Sequence, residues 1–244
     1  MLHSGRHGRQ VHGWLLAALL SALAVFACPS AHAARSDDLA TADTLARSGQ
    51  HAAAAELYES LAKRMFRGWD TRLALLAARE YQAAGRLDDA ERMIGHATPV
   101  ERRDDAVLLA RVTAEVALAR GRPTAALDAL RAVPEPWPAP LASELLALRA
   151  RAEFAAGLTL AGIRTIEARA RLLSGTDERR ENYSRLVDAL AADPSTTATV
   201  PLAATPYERA WYELGQLLAA VPQADERAVA RRAGDWRTRN PNHP

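Results

Sequence analysis

The 244-residue chain is long enough for one large domain or two small ones, and 49% of its residues are hydrophobic while only 5% are aromatic. Alanine and leucine supply most of the apolar residues, which favours close-packed helices over strands. The formal charge of +2 comes from Arg6 and Arg9, since the other basic and acidic residues are equal in number, and so gives little reason to expect nucleic acid or an anionic membrane face as a partner.

The first 33 residues are predicted to be a signal peptide. A basic segment that contains Arg6 and Arg9 precedes an apolar run over residues 14–27. This run is too short to cross a bilayer comfortably as a helix, but it has the length of the apolar part of a secretory signal. We therefore expect the protein to be exported.

Two cleavage positions remain open. The small residues in 31–33 suit ordinary signal peptidase, which would cut after Ala33. The segment 25–28 instead resembles a lipoprotein signal, which would be cut before Cys28 and would leave that cysteine lipidated. Cys28 is the only cysteine, so either cut excludes an intramolecular disulfide.

Residues 34–173 are predicted to form helical repeats. Four glycines stand 36 residues apart, at Gly49, Gly85, Gly121 and Gly157. The residue five positions after each glycine is small, namely Ala54, Ala90, Ala126 and Gly162. The residue nine positions after each is bulky and apolar, namely Tyr58, Ile94, Leu130 and Ile166.

This spacing predicts stacked helical hairpins. The small and bulky positions share one face of a helix that follows the glycine, and the glycine suits the left-handed cap of the helix before it. Bulky residues also recur twelve and nine positions before the later glycines, at Leu73, Leu109, Leu145, Leu76, Val112 and Leu148. The pattern predicts an all-α fold of about four tetratricopeptide-like hairpins. The alternative is an ordinary helical bundle with a coincidental spacing.

A proline-rich segment over residues 133–140 separates the third and fourth repeats. Alternating prolines favour an extended connection, and we interpret the segment as a stiff loop between helices. The other interpretation is a ligand for a proline-reading module.

Residues 174–244 are predicted to add C-terminal helices that complete the same domain. Helices are expected over residues 176–191, 207–220 and 225–239, with a polar loop over residues 193–205. Large aromatic residues concentrate here, at Tyr207, Trp211, Tyr212 and Trp236. We expect them to close the open end of the hydrophobic core rather than to form a binding cage.

The sequence contains none of the short motifs that mark nucleophilic, metal-dependent or phosphate-binding catalysis. After the signal peptide the histidines are scattered, at His51, His96 and His243, whereas a metal site needs clustered ligands. We therefore expect no enzyme activity, no cofactor, no metal and no small-molecule substrate. Stacked hairpins instead offer a concave wall for another protein.

The C-terminal residues resemble those of the penicillin-binding-protein activator (LpoA/LppC) family. The resemblance lies in residues 210–214, which contain Trp211, and in the run Trp236, Pro241, His243 and Pro244. In that family a tetratricopeptide-like N-terminal region ends in such a run. The resemblance implies a non-catalytic lipoprotein, anchored in the outer membrane through the position of Cys28, that activates a class A penicillin-binding protein, a peptidoglycan synthase.

The family continues into a second domain of periplasmic-binding-protein fold, and this sequence ends at Pro244. A fragment, a truncated gene and a second domain on a separate chain are the three explanations. The alternative function is a general periplasmic adaptor of the tetratricopeptide-like type, acting in envelope assembly or cell division.

Overall fold

The structure is a computed structural model, which describes residues 28–63, 68–192, 197–220 and 226–244. These residues contain eleven α-helices and no β-strand. Residues 1–27 of the predicted signal peptide lie outside the described residues. Among the helices that are described, none combines the length and the apolar character needed to cross a membrane.

The chain divides into two compact units, residues 1–97 and residues 98–244. This division falls between the second and third predicted repeats. The predicted boundary between repeats and C-terminal helices, after residue 173, stays a prediction.

The first unit contains two helical hairpins. Its helices are α1 (Cys28–Arg47), α2 (His51–Lys63), α3 (Thr71–Ala83) and α4 (Leu87–His96). Each helix packs on the next one along the chain, so that α2 and α3 join the two hairpins.

The second unit contains two further hairpins and three additional helices. Its helices are α5 (Arg103–Ala119), α6 (Pro123–Arg131), α7 (Ala139–Ala155), α8 (Thr159–Ala170), α9 (Thr176–Ala192), α10 (Pro206–Ala220) and α11 (Glu226–Arg239). The hairpins α5–α6 and α7–α8 contact each other through α6 and α7, and α9 and α10 both pack on α8. The last helix, α11, packs on α10.

The four repeat glycines form the turns of the four hairpins. Their φ angles are positive, at 78°, 75°, 68° and 72° in chain order. After α3, the Gly85 amide donates to the Gln82 carbonyl oxygen at 3.0 Å and the Arg86 amide donates to that of Tyr81 at 2.8 Å. The other three turns have the same pair of hydrogen bonds. This left-handed helix cap is the conformation that the spacing predicts.

The small residues five positions after each glycine are all buried. Ala54, Ala90 and Ala126 are all 0% exposed. At the fourth position a Cβ added to Gly162 would lie 2.7 Å from the Phe154 ring of α7, so even alanine would crowd this contact. The repeat therefore reflects close packing between the two helices of a hairpin.

The bulky columns are only partly placed as the pattern predicts. Leu76, Ile94 and Leu109 are half-buried, whereas the neighbouring Leu75 and Met93 are 0% exposed. The other predicted bulky residues are all buried, so the shift is local to single helices and reflects how the neighbouring helix is oriented. In two helices the buried residue is therefore the one immediately before the predicted residue, namely Leu75 in α3 and Met93 in α4.

The proline-rich segment connects α6 and α7, as the loop interpretation predicts, but it is shorter than predicted. Helix α7 begins at Ala139 and so includes the last proline of the segment. Proline is tolerated at the second position of a helix, because the hydrogen-bond donor that it lacks would have no partner there. The Trp137 indole nitrogen donates to the Val133 carbonyl oxygen at 3.1 Å, and the ring packs half-buried against the hydrophobic core. The loop is therefore fastened to the core of the second unit.

Candidate functional site

The side chain at the centre of the C-terminal core is Trp211 of α10, which is only 1% exposed. The Tyr183 ring of α9 lies parallel to it at 5.9 Å between ring centroids, and the Trp236 ring of α11 lies 6.3 Å away. Aromatic pairs at these separations add to the free energy of burial. Trp211 thus joins α9, α10 and α11, as expected for residues that close a core.

Trp236 fastens α11 to α10. It is 8% exposed, and its indole nitrogen donates to the Ala210 carbonyl oxygen at 2.9 Å. That carbonyl lies in the second turn of α10, so the bond fixes the position of α11 along its neighbour. A phenylalanine at this position would bury the ring without making the bond.

The chain then returns to α10 through His243. The Asn240 amide donates to the Trp236 carbonyl oxygen at 2.9 Å and ends the helix, and the His243 amide donates to the Asn240 carbonyl oxygen at 3.2 Å. The His243 ring stacks on Tyr207 at 4.1 Å between centroids, and its Nε2 lies 3.1 Å from the Tyr207 carbonyl oxygen. Because a carbonyl oxygen can only accept, Nε2 is the protonated nitrogen.

The structure thus brings three of the family-motif residues together, since the rings of Trp211, Trp236 and His243 are in mutual contact. Pro241 and Pro244 are exposed. The four turn glycines lie at the hairpin turns and not at this cluster. Cys28 is the first residue of α1, and its side chain is outside the described structure.

A cleft of about 610 Å³, which we call the aromatic cleft, opens beside this cluster between α9, α10 and the C-terminal residues. Its base is aromatic and aliphatic, and its rim is polar and basic. The lining residues are Thr176, Arg179, Arg180, Tyr183, Ser184, Val187, Tyr207, Trp211, Leu214, Trp236, Asn242 and Pro244.

Two tyrosines of the cleft are held by the carboxylate of Glu167, which is half-buried. The hydroxyls of Tyr183 and Tyr207 donate to the two oxygens of Glu167 at 3.1 and 2.8 Å. Burial raises the pKa of Tyr183 to about 12, and the negative charge of Glu167 adds to the shift. The pKa of Tyr207 is raised for the same two reasons. Both hydroxyls are therefore neutral donors at neutral pH, and both rings are held in place.

The two arginines at the rim point their guanidinium groups to exposed partners. Arg179 donates to the Ser174 carbonyl oxygen at 3.0 Å. Arg180 forms an ion pair with Asp177 at 2.8 Å, and both side chains are more than three-quarters exposed. Such a pair is weak because water screens it.

Helix α10, which carries Tyr207 and Trp211, begins in a capping box. The Glu208 amide donates to Thr205 Oγ1 at 3.2 Å, and the Thr205 amide donates to the Glu208 carboxylate at 2.7 Å. Arg164 of α8 also donates to this carboxylate, at 2.6 Å. These hydrogen bonds, above all that of Arg164, lower the pKa of Glu208 to about 2. The carboxylate therefore fixes α10 against α8.

A second network of this kind lies in the first unit. Glu59 accepts hydrogen bonds from Arg92, Lys63 and the Tyr81 hydroxyl, and so links α2, α3 and α4. Its pKa is lowered to about 2, chiefly by Arg92. A carboxylate with so low a pKa is a poor proton donor near neutral pH. The network therefore suits packing rather than acid–base chemistry.

Two of the histidines lie at the surface and still have local partners. His51 pairs with the buried Glu80 at 2.7 Å, and the His96 ring stacks on Trp69 at 3.9 Å between centroids. The described residues contain no group of three side chains that would suit a metal ion. These histidines instead complete local packing.

Several residues of the cleft were not predicted from the sequence, among them Arg179, Arg180 and Tyr183, and neither was Glu167, which fixes its two tyrosines. A signal for two of them, Arg180 and Tyr183, exists in the spacing of α9. Residues 176, 180, 183 and 187 recur every three or four positions, so they share one helical face. Glu167 carries no such signal, because its role depends on contacts with α9 and α10.

The sequence matches no protein-family model and no curated protein. In fold, the chain is similar to the crystal structure of the E. coli LpoA amino terminal domain, with a TM-score of 0.50 and 20% sequence identity. The similarity covers 78% of this chain and 85% of the solved one. At this identity the similarity establishes the fold alone, and together with the eleven helices of the described residues it confirms the predicted all-α, tetratricopeptide-like architecture.

Proposed function

We infer that this chain is a non-catalytic scaffold of the cell envelope that activates a peptidoglycan synthase of the class A penicillin-binding-protein type. The observation that carries the proposal is the similarity of fold to the LpoA amino terminal domain over 78% of the chain. The packing of Trp236 and His243 on α10 supports it, because the residues that suggested the family have a structural role here.

Activation without a catalytic group has a simple physical requirement. A scaffold shifts a synthase towards its active conformation only when it binds that conformation more tightly than the inactive one. A tenfold preference corresponds to about 1.4 kcal/mol. Helical hairpins provide rigid surfaces for such binding, and the proposal needs no cofactor, metal or small-molecule substrate.

The proposed location is the periplasm, at the inner leaflet of the outer membrane. The apolar run over residues 14–27 would direct export, and acylation of Cys28 would anchor the chain. Stable attachment needs more than one acyl chain, which a lipoprotein cysteine carries. The helical units would then extend from the membrane towards the cell wall.

Affinity capture from an envelope extract tests the partner. The tagged chain, purified after export, is expected to retain a class A penicillin-binding protein at low salt, while a class B penicillin-binding protein from the same extract serves as the specificity control. The unfolded chain on the same resin is the control for nonspecific binding. An eluate with other envelope proteins but without the class A synthase would contradict the proposal and favour the periplasmic adaptor.

A further inference from the structure

The base of the aromatic cleft exposes apolar surface that the fold holds in place. Tyr183, Val187 and Leu214 line it and are each half-buried. The Tyr183 ring is fixed on one side by Trp211 and at its hydroxyl by Glu167. A preformed apolar surface loses little conformational entropy when a ligand covers it.

Both charged side chains among the lining residues of the cleft are basic, although Arg180 also pairs with Asp177 outside the lining. Arg179 and Arg180 lie on its rim, and no acidic side chain is among its lining residues in the described structure. The acids of the same helix segment, Asp177, Glu178 and Glu181, are outside the lining. Rim charges of one sign attract a ligand of the opposite sign and increase its association rate.

We propose that the aromatic cleft binds an acidic peptide segment of another protein. An apolar side chain of the segment inserts between Tyr183, Val187 and Leu214, and carboxylates on either side of it face Arg179 and Arg180. The cleft volume of about 610 Å³ lies within the usual range for a ligand site and accommodates a few residues rather than a whole domain. This proposal does not depend on the identity of the synthase.

A glycan would stack on the same rings, but the cleft suits it less well. The polar side chains Thr176, Ser184 and Asn242 are exposed at the rim, whereas the base is aromatic and aliphatic. Sugar hydroxyls placed over that base would lose hydrogen bonds to water without full replacement. An apolar side chain has no such cost.

Fluorescence anisotropy with defined peptides tests the proposal. The probe is a labelled nonapeptide with Leu and Phe at its centre and Asp and Glu on both sides. Its counterpart carries Lys in place of each acid, and an unlabelled N-acetylglucosamine oligomer is the competing glycan. The acidic peptide is expected to bind, with an affinity that falls as salt increases, and the basic peptide is expected to bind at least about tenfold more weakly.

Two variants locate the binding. The double variant Arg179→Gln with Arg180→Gln is expected to bind the acidic peptide about five- to tenfold more weakly, since two favourable charges are removed. Ser184→Trp places a bulky side chain in the cleft from an exposed position and is expected to abolish binding while the circular dichroism spectrum is unchanged.

A matched control exists at the start of α5. There Arg102 pairs with Asp105 and Arg103 donates to the Pro136 carbonyl oxygen, an arrangement like that of Arg180 and Arg179, but neither lines the cleft. Arg102→Gln with Arg103→Gln is expected to leave peptide binding unchanged. The proposal would be overturned if the Ser184→Trp variant bound the acidic peptide as tightly as the wild type does, or if the glycan bound in place of the peptide. Either result would leave the proposed function untouched.

Discussion

At the scale of single residues, the repeat depends on the backbone conformation of its glycines. Gly85 has a φ of 75°, and a Cβ added there would meet no atom within 4 Å, so a side chain would cost backbone strain alone. We expect Gly85→Ala to lower the free energy of unfolding by about 1 kcal/mol. Urea unfolding followed by circular dichroism measures this change.

Gly95 is the matched control. It lies in α4 with the same open space around a Cβ, but its φ is not positive. Alanine is the better helix former, so Gly95→Ala is expected to leave stability unchanged or to raise it by up to about 1 kcal/mol. Equal destabilisation by both substitutions would contradict the assigned role of Gly85.

Lipidation of Cys28 is a second prediction about one residue. Cells are grown with a palmitate analogue, and the wild-type chain is expected to be labelled. Cys28→Ala removes the only cysteine and is expected to abolish labelling, whereas Ala33→Asp spoils the rival cleavage site and is expected to leave it intact. Labelling that survives Cys28→Ala would contradict lipidation of Cys28, and a wild-type chain that is not labelled at all would instead support cleavage after Ala33.

At the scale of helices, the capping box of α10 predicts a dependence of stability on pH. The pKa of Glu208 falls from its usual 4.5 to about 2 in the folded chain, mainly because Arg164 donates to the ionised carboxylate. A lowered pKa means that this contribution is complete above pH 4.5 and is lost as the pH falls towards 2. Acid unfolding is therefore expected to steepen in that interval.

Glu208→Gln tests this assignment. It is expected to cost roughly 1 to 3 kcal/mol at pH 7 and progressively less in acid, because the wild type then loses the same interaction. The control is Glu213→Gln, whose partner Arg239 lies 3.3 Å away in an exposed pair, and its expected cost is below about 0.5 kcal/mol. A pH-independent difference between Glu208→Gln and the wild type would show that the ion pair is not its cause.

The returning C-terminal residues are also a helix-scale feature. His243→Ala removes a stacked ring and a hydrogen bond to α10, and is expected to lower stability by about 1 to 2 kcal/mol and to speed amide exchange in α11. Asn242→Ala, at an exposed neighbour, is expected to have little effect on either quantity. Unchanged exchange in the His243→Ala variant would mean that this contact does not hold α11.

The sequence predicted helices better than it predicted their faces. The glycine spacing gave four hairpins and their turns, because a left-handed cap is a local property of the backbone. The face of α4 was centred on Ile94, yet Met93 is the buried residue. Which of two adjacent residues is buried depends on how a neighbouring helix is oriented, and this is not encoded locally.

The aromatic cleft shows the same limit. Trp211 and Trp236 were expected to close a core, and they do, because large aromatic residues at helical spacing tend to be buried. The cleft beside them was not predicted. Its formation requires Tyr183 and Tyr207, which are distant in sequence, to share the Glu167 carboxylate, and spacing within one helix contains no information about such a contact.

At the scale of the whole molecule, the architecture accounts for a similarity of fold at 20% sequence identity. Close packing at Ala54, Ala90 and Ala126 requires only that those residues stay small, and the turns require only glycine. The surfaces between these positions are free to change. A fold of this kind can therefore persist at 20% identity, while partner recognition depends on residues that differ from chain to chain.

The most direct measurement of the proposed function is peptidoglycan crosslinking by a purified class A penicillin-binding protein, with and without the chain purified after export. The crosslinked fraction is expected to rise with the concentration of the chain and to saturate, since the effect depends on binding. The heat-unfolded chain is expected to have no effect. A crosslinked fraction that stays constant at concentrations where the two proteins form a complex would contradict the activator account.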